Sequence, residues 1–345
     1  MEIERMATMG LSTRPGLAAG GGIAVIVALS AATAVACRVP VFRYALERWA
    51  PAPYDVVVLA REGMPRTDPR LASLVAAEGR GAVTLEVADA SRPLAAALAA
   101  AWTVHGGEGP VAVVRYPRSA PAGRDGGGRD GDRRRVAHVT SLDAASAAAI
   151  TSSPARNEIG RHLVSGATAV WVLLETSDAA ANAAARQTLE DACTRARDTI
   201  RLPDAAELAV DPRLLDDVRI PLGIDFPLVA LPRDDAEEAF LVDCLLGSEE
   251  DLRDYDEPIA FPVFGRGVVL HALVGRGITP ENIEDAHTFI TGACSCVVKE
   301  QNPGFDLLLD VDWAAAVGDV LVSDPPSSVG TKPKLLPIPP GARPR

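Results

Sequence analysis

Ile259-Ala-Phe-Pro-Val-Phe264, Gly265-Arg-Gly267, Val268-Val-Leu-His-Ala-Leu-Val274 and Gly275-Arg-Gly-Ile-Thr-Pro-Glu281 read in order as a strand, a turn, a returning strand and the opening of a helix. Gly265 and Gly267 supply the turn with residues free to take positive φ. Thr279 offers a side-chain N-cap, Pro280 stands at the first helical position, and Glu281 places an acid in the first turn. Ile283, Ala286 and Ile290 then form one apolar stripe. Gly292 sits where a left-handed cap would close the helix, and the stretch runs on through Cys294-Ser-Cys296 to Gly304.

Upstream, Ala169 to Glu175 is an unbroken apolar strand and Ala179 to Ile200 a long helix. After a proline-punctuated connection, Phe226 to Leu231 is a strand and Asp234 to Leu246 a helix. The order before Gly166 is similar but incomplete. A helix at 41–49 precedes strands at 54–60, 82–88, 111–116 and 136–140, with helices expected at 69–78, 94–102 and 143–166. The last is interrupted at Thr151-Ser-Ser-Pro154, where a second cap restarts it. The glycine, arginine and aspartate tract from Ala120 to Arg135 has nothing to bury and is expected as a surface loop. Downstream, Phe305 to Trp313 reads as an added edge strand guarded by Asp306, Asp310 and Asp312. Beyond Asp324 comes a proline-rich stretch carrying Lys332, Lys334, Arg343 and Arg345, expected to be disordered and able to reach a partner.

The succession strand, helix, strand, helix, hairpin, helix resembles that of thioredoxins over residues 167–291. Ala169 to Glu175 matches the central strand, and Gly265 to Gly267 the hairpin turn. Ile278 to Ile290 matches the last helix, and Pro258 the cis-proline that faces the thioredoxin active site. The resemblance implies an α/β protein with a thioredoxin-like domain at 167–313, a degenerate second copy at 37–166, and a tail at 314–345.

Thioredoxin chemistry needs Cys-x-x-Cys where the helix after the central strand begins, since the helix amino terminus stabilises a thiolate. Ser177-Asp178-Ala179-Ala180 occupies that place, so redox activity there is not expected. The implied fold puts the helices 179–200 and 280–291 on one sheet face and Cys244 on the other. It therefore favours a disulfide from Cys193 to Cys294 or Cys296. The alternative is a redox pair or soft-metal site built from Cys294 and Cys296, with His287 or His271 nearby.

The amino terminus gives the address. Arg5 and Arg14 precede an apolar run from Leu17 to Ala36, ending in Ala34-Val35-Ala36-Cys37. This layout resembles a bacterial lipoprotein signal, in which the cysteine after the cut is lipidated, although Ala34 stands where leucine is usual. It implies that residues 1–36 are a signal peptide or, if uncleaved, a membrane anchor, and that Cys37 is the lipidation site. Simple secretion is the third alternative; all three export the domains, and the expected place is the cell envelope, membrane-tethered and facing outward. A formal net charge of -12 and a pI of 5.0 leave no basic face for nucleic acid. No metal motif, dinucleotide loop or nucleophile elbow is present. The expectation is a binding or scaffolding module, without cofactor, for a protein or an envelope polymer; the alternative is a thiol-disulfide or soft-metal handling protein.

Overall fold

The computed structural model describes residues 38–105, 107–117, 135–208, 210–294 and 304–323. It is a mixed α/β structure with two sheets. The expected signal, Cys37, Cys296 and the tail beyond Ser323 lie outside the described residues. Among the described residues no helix is long and apolar enough to cross a membrane.

After helix α1 (Val41–Arg48), the first sheet is built from β1 (Tyr54–Ala60), β2 (Val83–Asp89), β3 (Val111–Arg115) and β4 (Val136–Ser141). Helix α2 (Ala72–Gly79) joins β1 to β2, α3 (Ala96–Val104) joins β2 to β3, and α4 (Ala144–Thr151) follows β4. The strand order is β2-β1-β3-β4, with β1 parallel to β2 and the other pairs antiparallel.

Helix α5 (Pro154–Val164) leads to the second sheet, which begins with β5 (Ala169–Glu175), α6 (Ala179–Thr199) and β6 (Leu228–Pro232). Two short helices, α7 (Ala205–Leu208) and α8 (Pro212–Asp217), lie in the connection between α6 and β6. Helix α9 (Ala239–Leu246), β7 (Ile259–Phe264), β8 (Val268–Val269), β9 (Leu273–Val274) and α10 (Pro280–Thr291) complete the unit. Here β5 is parallel to β6 and antiparallel to β7, and β7 pairs with β8 and β9. The order β8-β7-β5-β6 repeats that of the first sheet, strand for strand and direction for direction. The helices repeat too: α2 packs on α4 as α6 packs on α10.

Strand alternation sorts the side chains into layers. Ala169, Trp171 and Leu173 enter one core with α6, α10 and α1, while Val170, Val172 and Leu174 enter another. That second core joins the inner faces of both sheets with α2, α4, α5 and α9. The opposite face of the first sheet, with Val57, Leu59, Val111 and Val113, is covered by Leu98 and Ala101 of α3. Helices α1 and α5 precede residue 167, yet α1 packs on α10 and β7, and α5 on β5 and β6. The second sheet thus draws two covering helices from the earlier part of the chain.

Several local expectations change. The hairpin turn forms as expected, with Gly265 and Gly267 at φ +61° and +107°. The returning strand is broken, however: only Val268–Val269 and Leu273–Val274 pair with β7. Gly292 is not a left-handed cap. It is extended, at φ -66° and ψ 163°, because its carbonyl accepts the Val41 N–H at 2.9 Å and binds the chain to α1. The expected edge strand is real but short: β10 (Phe305–Asp306) pairs with β8, and a last helix, α11, covers Trp313–Val317.

Two buried polar clusters tie distant segments together. Glu47 on α1 accepts from Arg43 Nε at 2.5 Å and from the backbone N–H groups of Val322 at 2.9 Å and Ser323 at 2.6 Å. Arg43 also donates to the Ile220 carbonyl, and Arg48 grips Ser323 through its hydroxyl and carbonyl. In the second cluster, Arg156 is 1% exposed and donates to the carbonyls of Ile150, Ala149 and Leu308 and to Ser153 Oγ. Burial pulls its pKa down to about 10. Ser153 does not cap α5 with its own side chain; Glu238 does so instead, accepting from the Ser153 hydroxyl and the Ala155 N–H, both at 2.6 Å.

Candidate functional site

The start of α6 is the place that the thioredoxin resemblance would give to a thiol pair. Asp178 caps this helix by accepting the N–H groups of Ala180 and Ala181 at 2.9 and 3.0 Å. Asn182 Oδ1 accepts the Thr176 N–H at 3.0 Å, and Arg186 pairs with Glu175 at 2.6 Å. The helix end is thus satisfied by carboxylate and amide oxygens. Pro258 stands at the same end of the sheet, because the next residue, Ile259, pairs with Leu174. Its carbonyl accepts the Gly275 N–H at 2.8 Å.

The cysteines divide between layers as expected. Cys193 and Cys294 are buried in the core on the α6/α10 side, and Cys244 in the core shared by the sheets. The bridge expected from Cys193 is not formed: Cys193 is a free thiol, packed as a small apolar side chain beside Leu189 and Ala196. Burial pushes the thiols of Cys193 and Cys244 up to about 12, so neither supplies a thiolate near neutral pH. Cys294 is also buried, and its N–H donates to the Val39 carbonyl at 2.9 Å.

His287 is committed to the core. It is 2% exposed, stacks on Phe226 at 3.9 Å between ring centroids, and accepts the Trp171 Nε1–H on Nε2 at 3.0 Å. Accepting there requires the neutral ring. Burial pushes its pKa down to about 4. His271 lies apart from it, lining a cavity of about 190 Å³ with Arg135, Glu249 and Tyr116. Among the described residues no three His, Cys, Asp or Glu side chains gather as a metal site.

The state of His287 has a measurable consequence for stability. Above about pH 6.5 the imidazole is neutral in both folded and unfolded chains and contributes no pH dependence. As pH falls from about 6.5 toward 4, the unfolded chain takes up a proton that the folded one refuses. Stability is therefore lost across this window, by about 3 kcal/mol at its lower end. Urea unfolding of wild type and His287→Gln between pH 7.5 and 4.5 checks this: the variant should lose that part of the slope.

The acidic run does not gather its carboxylates. Asp306 is buried under the Ala52 N–H at 3.3 Å, Asp310 pairs with Arg80 at 2.8 Å, and Asp312 caps α11 through the Ala315 N–H at 2.9 Å. The segment instead forms one wall of a groove of about 500 Å³. Leu307 to Ala314 face Ala50-Pro51-Ala52 and the α2–β2 turn at Arg80-Gly81-Ala82. It is larger than the cavity of about 190 Å³ beside His271. Its walls are mostly apolar, with Arg80, Asp310 and Asp312 as the charged groups. Arg80 and the 50–52 segment escaped sequence reasoning, because only the tertiary fold brings these stretches together.

No protein-family model, no curated protein and no solved structure matches this chain.

Proposed function

We propose that the chain is an exported, membrane-tethered binding protein of the cell envelope, built from two thioredoxin-like units that carry no redox pair. The observation that carries this reading is the repeated strand order with α6 opening on Ser177-Asp178-Ala179-Ala180. The order and strand directions resemble those of the thioredoxin sheet, and Pro258 stands at the same end of the sheet as the start of α6. The corresponding place in the first unit, after β1, holds Arg61-Glu62-Gly63, and Pro110 there stands just before β3 as Pro258 does before β7. Support for binding rather than thiol chemistry comes from the buried, raised thiols of Cys193 and Cys244 and from the engaged ring of His287. Function resides in sites rather than folds, and the groove is the feature best suited to an extended ligand. Tethering follows from the amino-terminal sequence alone: the apolar run and Cys37 resemble a lipoprotein signal.

Two measurements test the reading. Intact mass of membrane-extracted protein should give a chain beginning at lipid-modified Cys37; an intact, unlipidated amino terminus would leave only the anchor. Thiol labelling without reductant should find Cys193 and Cys244 unreactive in native protein and fully reactive after unfolding. A rapidly labelled native pair, or a thiol still blocked after unfolding, would shift the assignment to disulfide chemistry.

A further inference from the structure

We propose that the groove beside Trp313 is the docking site for the chain's own segment Thr331-Lys-Pro-Lys-Leu-Leu-Pro-Ile-Pro-Pro340. Three observations meet here: where the chain leaves the described structure, what the groove presents, and what the remaining sequence contains.

The last described residue, Ser323, is not loosely placed. Glu47 accepts its N–H and Arg48 holds its hydroxyl and carbonyl, and Ala50, two positions beyond Arg48, already lines the groove. Ser323 is therefore held beside a segment that lines the groove. From Ser323 to Lys332 an extended chain covers about 28 Å at ~3.1 Å per residue. That length suffices to enter the groove and run along it.

The chemistry is complementary. Pro51, Leu309 and Trp313 offer apolar wall, and the exposed carboxylates of Asp310 and Asp312 stand beside it, outnumbering the one cation, Arg80, which pairs with Asp310 at 2.8 Å. The segment brings Lys332 and Lys334 followed by Leu335-Leu336-Pro337-Ile338-Pro339-Pro340. Its prolines favour the polyproline II conformation, which loses little entropy on docking against an apolar wall that includes Trp313. In a chain of net charge -12, lysine occurs only at Lys299, Lys332 and Lys334. Two of the three thus fall within this one segment. A tether this short gives an effective concentration in the mM range, so even a docking constant of about 100 µM would keep the groove mostly occupied. An external proline-rich or cationic extended ligand must displace the segment.

The proposal rests on reading the protein as a binder, but fractionation and thiol labelling test that reading separately. The experiment uses a dye-labelled peptide of residues 329–341 and fluorescence anisotropy. It compares chain 38–345 with the same chain ended after Ser323; all three cores are made from residues 39–322, so both should fold. The shortened chain should bind the peptide, and the chain with its tail should bind it at least about tenfold more weakly, from the effective concentration above. In the shortened chain, Asp310→Asn or the peptide with both lysines changed to glutamine should weaken binding severalfold and reduce its salt dependence. Failure of the shortened chain to bind, or equal binding by both chains, overturns the proposal. So does a peptide that binds vesicles containing phosphatidylglycerol but not the shortened chain, since the segment would then belong to the membrane surface.

Discussion

Replacing Glu47 by alanine is expected to lower the unfolding free energy by about 3–5 kcal/mol, the usual cost of removing one member of a buried ion pair. Arg43 is only 2% exposed, and without Glu47 its charge is left in the core with the Ile220 carbonyl as its remaining partner. The same substitution strips the acceptor from the N–H groups of Val322 and Ser323. Urea unfolding should show the loss in stability, and hydrogen exchange should show faster exchange at Val322 and Ser323. The pair Arg43→Met with Glu47→Leu should recover much of the loss, because the stranded charge is gone, while the fast exchange persists. A loss below about 1 kcal/mol for Glu47→Ala, the value of an exposed pair, would contradict the buried assignment.

Arg156→Met is the second large effect, expected at about 3–4 kcal/mol. Each carbonyl left without a donor in the interior costs roughly 1–3 kcal/mol, partly relieved by relaxation. Arg156 serves Ala149 and Ile150 at the end of α4, where helix carbonyls have no partners of their own, and Leu308 in the carboxyl-terminal segment. Its guanidinium also lies 4.7 Å from the centre of the Phe240 ring. Methionine fills similar volume, so the loss should reflect lost donors more than a cavity. Chemical denaturation gives the magnitude. Proteolysis should cut near 307–312 more readily in the variant, since the bond to Leu308 helps to hold that stretch to α5.

What was legible in the sequence follows the range of the forces involved. Strand β5 could be read because every residue from Ala169 to Leu174 is fully buried, and a strand covered on both faces must be apolar throughout. The hairpin turn and the cap of α10 are written in Gly265, Gly267, Thr279 and Pro280, each acting on its own backbone. The first unit looked incomplete because a polar tract separates β3 from β4, although the ladder pairs across it. Gly292 reads as a left-handed cap but is extended, since its conformation is set by Val41, far away in sequence. The same applies to the cap of α5, which comes from Glu238. The site was least legible. Asp310 could be singled out, but its partner Arg80 and the facing Pro51 lie more than two hundred residues earlier.

The repeated units also meet in an unequal way. In the shared core, the first unit offers the face carrying α2 and α4, whereas the second offers the face carrying α9, the counterpart of α3. Different surfaces of equivalent bodies are in contact, so the relation is head-to-tail and not a two-fold one. A contact of that kind leaves one surface of each end unit unused. The α6/α10 face of the second unit corresponds to the face the first unit has already used, and it is here that α1 packs, against α10 and β7. The helix α1 thus plays the part of a terminal cap in a solenoid, covering the face on which a third such unit would stack.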